Sequence, residues 1–106
     1  MIKHLVLLNF KPGISTAEVA HIFNSLGKLR ALITEIQNYS WGSNNSPEGL
    51  AQQFTHAFSM DFSDAFARDR YLQHPTHQQL AASLILPALK DGKNSIVVID
   101  YEYENT

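Results

Sequence analysis

The stretch FTHAFSMDF, residues 54–62, sets Phe54, His56, Phe58, Met60 and Phe62 at alternate positions. A period of two is the pattern of a β-strand with one buried face. Two other runs, IKHLVLLNF near the start and SIVVIDYEY near the end, are apolar on both faces. Leu5 and Leu7 alternate with Ile2, Val6 and Leu8, and Val97 and Ile99 alternate with Ile96 and Val98. Strands apolar on both faces need cover on both, and this limits the possible folds more than any other feature.

The segments between the strands supply only part of that cover. Ser15 and Glu18 have capping-box spacing, with the hydroxyl set to accept from the Glu18 amide and the carboxylate to return to the Ser15 amide. Val19, Ile22, Phe23, Leu26, Leu29 and Ile33 then recur at intervals of three and four, which predicts an amphipathic helix ending near Thr34. IQNYSWG reads as a strand, followed by a polar loop, SNNSPEGLAQ, too long for a tight hairpin. Ser63 or Asp64 can cap a short helix through AFARDRYLQ. Pro75 interrupts, because the residue before a proline is pushed out of the α region. A further helix is predicted towards Leu89, with Leu80, Leu84, Ala81 and Ala88 inward, then a turn at KDGKN.

The order strand–helix–strand–strand–helix–strand is the split βαβ plan. It predicts an α+β, ferredoxin-like protomer: a four-stranded antiparallel sheet with helices on one face. At 106 residues the chain is expected to form a single domain over 1–106. The helices suffice for one face of the sheet only. An open apolar face of several hundred Å² is unusual on a monomer, and its simplest cover is the same face of a second copy. A homodimer with sheets packed face to face is therefore expected.

Composition narrows the functional classes. There is no cysteine, which removes disulfides, thiolate nucleophiles and cysteine-type metal sites. A net charge of −2 argues against phosphate-driven nucleic-acid binding. No run is long enough for a membrane span and no signal-peptide pattern is present, so a soluble cytoplasmic protein is expected. His74 and His77 flank a helix break and no H-E-x-x-H occurs, so no metal site is expected. Neither a phosphate loop nor a G-x-S-x-G elbow is present, and no cofactor is expected.

The chemistry-bearing residues concentrate in RYLQHPTHQQL, residues 70–80. Either Thr76 caps the new helix with Gln79 at capping-box distance, or His74 precedes a proline at the first helical position. Both put His77 in the first turn, where the positive end of the helix dipole disfavours imidazolium. A neutral imidazole is what a general base needs near pH 7; equally, a histidine at a polar helix start can simply be satisfied by water or a nearby backbone group. Tyr71 is a candidate donor to a carbonyl oxygen; equally, it can close the core with its hydroxyl in water. His4 and His56 each interrupt an apolar strand face. A buried polar group without a partner costs about 1–3 kcal/mol; either a shared wet pocket accounts for both, or each is bonded to a side chain or backbone carbonyl inside the core. His74 is expected to fix the break, and His21 to lie on the surface.

MIKHLVLLNFKPG, NNSPEG with FTHAFSMDF, YLQHPTH and the terminal VVIDY occur in the order seen in the stress-responsive α/β-barrel (Dabb) family, which the chain resembles over nearly its whole length. The resemblance implies ferredoxin-like protomers whose sheets form a dimeric α/β barrel. The plant polyketide cyclases of that family perform a cofactor-free aldol condensation in a pocket between sheet and helices. Carried over residue by residue, the resemblance implies Tyr71 and His77 as an acid–base pair and His4 and His56 as substrate-binding strand histidines. Two functions follow: a small-molecule pocket protein acting as a cofactor-independent lyase or cyclase, or a non-catalytic ligand-binding or structural stress-response protein.

Overall fold

In the computed structural model, which describes residues 1–104, the alternating runs become strands. These are β1 (Ile2–Leu8), β2 (Gln37–Ser43), β3 (His56–Phe62) and β4 (Ile96–Glu102), in the sheet order β2-β3-β1-β4. Every pairing is antiparallel. β3 starts at His56 because Phe54 is held in a turn, its amide donating to the Ala51 carbonyl. The helices are α1 (Thr16–Lys28), α2 (Ala65–Gln73) and α3 (Pro75–Leu80). The four-stranded α+β architecture expected from the sequence is the one observed.

Caps place the helices. The Glu18 amide donates to the Ser15 hydroxyl at 3.1 Å, while the Glu18 carboxylate lies 3.4 Å from that hydroxyl and not on the Ser15 amide. Asp64 caps α2 by accepting from the Ala67 amide at 2.8 Å. α1 ends at Lys28, short of Thr34, and passes into a 3₁₀ turn over Leu29–Ala31. The Arg30 Nε donates to the Gly27 carbonyl at 2.8 Å, satisfying one of the acceptors a helix end leaves open. Leu29 and Ile33 stay buried beyond the helix, so the apolar stripe outlasts the α geometry.

The helix expected to run from Pro75 towards Leu89 is also broken. After α3 the chain widens into a π turn, Ala81–Ile85, and tightens into a 3₁₀ turn, Leu86–Ala88. Pro87 explains the irregularity: it has no N–H and its ring clashes with the carbonyl four residues back, that of Ser83. The Ser83 hydroxyl turns back to donate to the Gln79 carbonyl at 2.7 Å. Inward residues here are Ile85 and Ala88, with Leu80 and Leu84 partly buried.

All helices lie against one side of the sheet. Along β1, Ile2, His4, Val6 and Leu8 are buried, whereas Lys3, Leu5 and Leu7 are only half-buried. Leu5 faces Ile99 and Leu7 faces Val97 across the β1–β4 pair, so the uncovered side is apolar. One polar cluster interrupts that side. The buried Asp61 carboxylate pairs with Lys3 Nζ at 2.8 Å and accepts from Asn38 Nδ2 at 2.9 Å. Asn38 reaches it from a left-handed backbone (φ 50°), at the irregularity in the β2–β3 register between Gln37 and Ser40. Among the described residues no helix is long and apolar enough to cross a membrane.

Candidate functional site

β1 delivers His4 to the helix-facing side, opposite Met60 of β3 and Asp100 of β4. Its ring is buried and meets Tyr71 of α2 edge to face at 5.8 Å between centroids. Phe58 and Phe62 border it at 6.1 and 6.4 Å. Its Nδ1 lies 2.7 Å from Asp100 Oδ1. A carboxylate can only accept, so Nδ1 carries the hydrogen. The other Asp100 oxygen accepts from Arg68 of α2 at 3.2 Å, and Arg68 Nε donates to Asp69 at 3.0 Å.

Tyr71 and His77 meet across the proline break. Their rings are 4.2 Å apart between centroids and tilted by 40°. Tyr71 is fully buried, and its hydroxyl has no hydrogen-bond partner among the described residues. Burial pushes this phenol well above its ordinary range, so it stays protonated and can only donate a hydrogen or accept one as a neutral group. The His77 Nδ1 lies 3.4 Å from the Leu72 carbonyl, to which Gln78 Nε2 also donates at 3.3 Å. With Nδ1–H on that carbonyl, Nε2 carries the lone pair. Burial lowers the His77 pKa; the bond to Leu72 opposes this, and the nearby His4 and His74 add to the lowering. His77 is therefore a neutral imidazole near pH 7.

His74 proves to be the cap of α3, accepting from the Thr76 amide at 3.2 Å with Pro75 at the first helical position. His21 is exposed. His56 is on the same side of the sheet as His4 but not beside it. It pairs with Leu8, and it lies four residues along β3 from Met60, the partner of His4. At about 3.3 Å per residue that is ~13 Å. Phe10 and Phe23 pack on its ring at 5.1 and 6.1 Å, and its Nδ1 is 2.9 Å from the Thr55 hydroxyl. Burial lowers its pKa. The two strand histidines thus have different surroundings: His4 packs beside Tyr71, the neighbour of His77, and His56 lines a cavity of about 220 Å³ with Leu7, Ser43, Asn44 and Phe54.

Asp100 and Arg68 escaped the sequence reading. Asp100 had a usable signal, since it interrupts the face Ile96, Val98 and Asp100 in the same way His4 interrupts its own. Arg68 had none, because a charged residue on a short polar helix reads as solvated surface.

Comparison with known proteins agrees with this architecture. The model of the stress responsive A/B barrel domain matches residues 2–103. The chain belongs to the stress-responsive A/B barrel family. Among its A/B barrel relatives, the stress-response A/B barrel domain-containing protein HS1 of Arabidopsis thaliana is 32% identical over 95% of this chain and 88% of its own length. Olivetolic acid cyclase of Cannabis sativa is 26% identical over 72% of this chain and 75% of its own. Among solved structures, the hydroxynitrile lyase of Passiflora edulis superposes with a TM-score of 0.85 at 25% identity, covering 99% of this chain and 94% of that one. A dimeric ferredoxin-like protein of Jannaschia sp. CCS1 gives 0.84 at 25% identity, covering 96% and 98%.

Proposed function

We propose that this A/B barrel protein is a homodimer that binds a small carbonyl compound beside Tyr71 and His77 and performs cofactor-independent acid–base chemistry on it, as a lyase or cyclase. The observation that carries the reading is Tyr71, whose ring packs on that of His77 and whose buried hydroxyl has no partner among the described residues. A buried hydroxyl without a partner costs about 1–3 kcal/mol, a cost a bound oxygen acceptor would remove. The similarity to a cyclase and to a hydroxynitrile lyase supports the same class of chemistry.

In this reading His77 Nε2 takes a proton from the carbon next to a carbonyl. The electron pair moves into the carbonyl oxygen, where the neutral Tyr71 phenol donates to the developing enolate. The enolate carbon then attacks a second carbonyl of the substrate, whose oxygen takes the proton back from His77. In the lyase direction His77 instead removes a hydroxyl proton, the carbonyl re-forms as the carbon–carbon bond breaks, and the departing carbanion takes that proton. His4 binds a polar group of the substrate. His56, at the other end of the sheet face, contributes to ligand contact through its own cavity and supplies no atom to the acid–base group.

The homodimer uses the open side of the sheet. Ile99 and Tyr101 of β4 are 54% and 47% exposed there, an arrangement that suits a partner sheet. The Jannaschia neighbour is itself described as dimeric.

The second reading is a non-catalytic ligand-binding or structural stress-response protein. It is favoured by the bonds from His77 and Gln78 to the Leu72 carbonyl, which close the end of α2 with no ligand required. A thermal-shift screen with phenols, β-diketones and short polyketide-like acids, on wild type and His77→Ala, separates the two. A ligand at 100 times its Kd adds about 2.7 kcal/mol. For a domain of this size that raises Tm by about 10 °C or more. Hits that vanish in His77→Ala support the proposal and justify turnover assays. A variant that melts far below wild type and retains the hits assigns His77 to structure alone.

A further inference from the structure

Arg68 and Tyr71 are one turn apart on α2, and both reach the same pair of sheet residues. Tyr71 packs on the His4 ring, while Arg68 holds the carboxylate that holds His4. The chain Arg68–Asp100–His4 crosses three elements, α2, β4 and β1, over bonds of 3.2 and 2.7 Å. His4 is 5% exposed at its side chain, Asp100 19% and Arg68 24%, so the chain runs inward from a partly solvated cation. Asp69 fixes the outer end by accepting from Arg68 Nε.

We infer that Arg68 is a positioning residue for the site at Tyr71 and His77, acting through Asp100 to fix His4 with its hydrogen on Nδ1. The inference rests on the proposed reading that His4 lines a ligand site.

The argument is geometric. An aspartate on a strand can rotate about its terminal torsion, which is broad and roughly two-fold. Either oxygen, or neither, can then face a neighbouring imidazole. A guanidinium on Oδ2 removes that freedom and leaves Oδ1 toward His4. The carboxylate also needs compensation: a partly buried charge with only an imidazole beside it is poorly satisfied, and a charge-assisted bond from arginine supplies the balance. With Nδ1–H committed to Asp100, Nε2 is the nitrogen left to meet a ligand. β4 is an edge strand with Val98 and Ile99 each 54% exposed, so a tie from α2 also sets how close its Asp100 stands to β1.

The test is long-range ¹H–¹⁵N correlation of the histidine side chains in the full chain, without ligand, in wild type, Arg68→Met and Arg68→Lys, assigned by comparison with His4→Gln. Wild type is expected to show His4 with Nδ1 protonated and Nε2 unprotonated. Arg68→Met is expected to move that pattern towards a mixture of both tautomers, with circular dichroism unchanged, and Arg68→Lys to restore part of it. A wild-type His4 with its hydrogen on Nε2 overturns the inference even where Arg68→Met does not fold. An unchanged pattern in a folded Arg68→Met overturns it too, since Asp100 then orients His4 unaided. Because the readout needs no ligand, its failure is distinct from a failure of the acid–base reading, which the thermal-shift screen decides.

Discussion

Tyr71 and His77 pack ring on ring at 4.2 Å between centroids, tilted by 40°, on either side of a proline break, and the tyrosine hydroxyl has no partner among the described residues. The break is what makes the contact. In one continuous helix the two side chains would point away from each other, since residues three and four apart share a face and residues six apart do not. His74 caps the new helix and Pro75 opens it, which turns the first turn of α3 back onto the end of α2.

Removing the Tyr71 hydroxyl alone should separate function from stability. Tyr71→Phe keeps the packed ring and deletes an unsatisfied buried group, so urea unfolding should give a stability unchanged or raised by about 1 kcal/mol. Ligand-induced thermal shifts should disappear in the same variant. A loss of more than 1 kcal/mol would mean that the hydroxyl is satisfied in the unliganded protein.

The buried histidines give the stability a defined pH dependence. His77 and His56 both have pKa values lowered by burial, so the unfolded chain binds more protons in the window just below its own value of about 6.5. Stability therefore rises with pH there. The contribution is fully present above about 6.5 and is lost as pH falls through the lower folded-state values. Tm measured from pH 7.5 to 5 should decline, and His77→Gln and His56→Gln should each flatten part of the slope. A slope unchanged in both variants would assign the acid sensitivity to carboxylates.

Gly27 offers a test of packing at the end of α1. An added Cβ would stand 3.1 Å from the Tyr39 ring, and that ring is held because its hydroxyl donates to the Phe23 carbonyl at 2.7 Å. Alanine ordinarily gains about 1 kcal/mol over glycine inside a helix. Gly27→Ala is expected to destabilise the native protein by a few tenths to about 1 kcal/mol, and to stabilise a Tyr39→Leu background. Equal effects in both backgrounds, read from denaturant midpoints, would show that the ring yields freely.

Ile99 tests the assembly. It is 54% exposed on the open side of the sheet, opposite Leu5. Ile99→Lys places a charge in the middle of the proposed interface, and light scattering after size exclusion should change from dimer to monomer with secondary structure retained. A wild type that runs as a monomer at micromolar concentration would leave this face without a partner copy.

The elements were legible in the sequence because their signals are local. The alternation from Phe58 to Phe62, the Ser15 cap and the Pro75 break each act within a few residues, and each appears where the chain places it. Local signals also had limits: the stripe through Ile33 outran α1, and Pro87 turned an expected helix into π and 3₁₀ turns.

What tertiary structure decided is which residues meet. Read along the chain, His4 and His56 look equivalent, each a lone histidine on an apolar strand. Antiparallel pairing sets His4 against Met60 and His56 against Leu8, which sends them to opposite ends of one sheet face. The same register brings Asp100 beside His4, and α2 then lays Arg68 and Tyr71 over the pair. By itself the sequence determined strands, helices and the break that carries Tyr71 and His77. The register between distant strands comes from the summed packing of whole faces, and that sum chose the partners of His4.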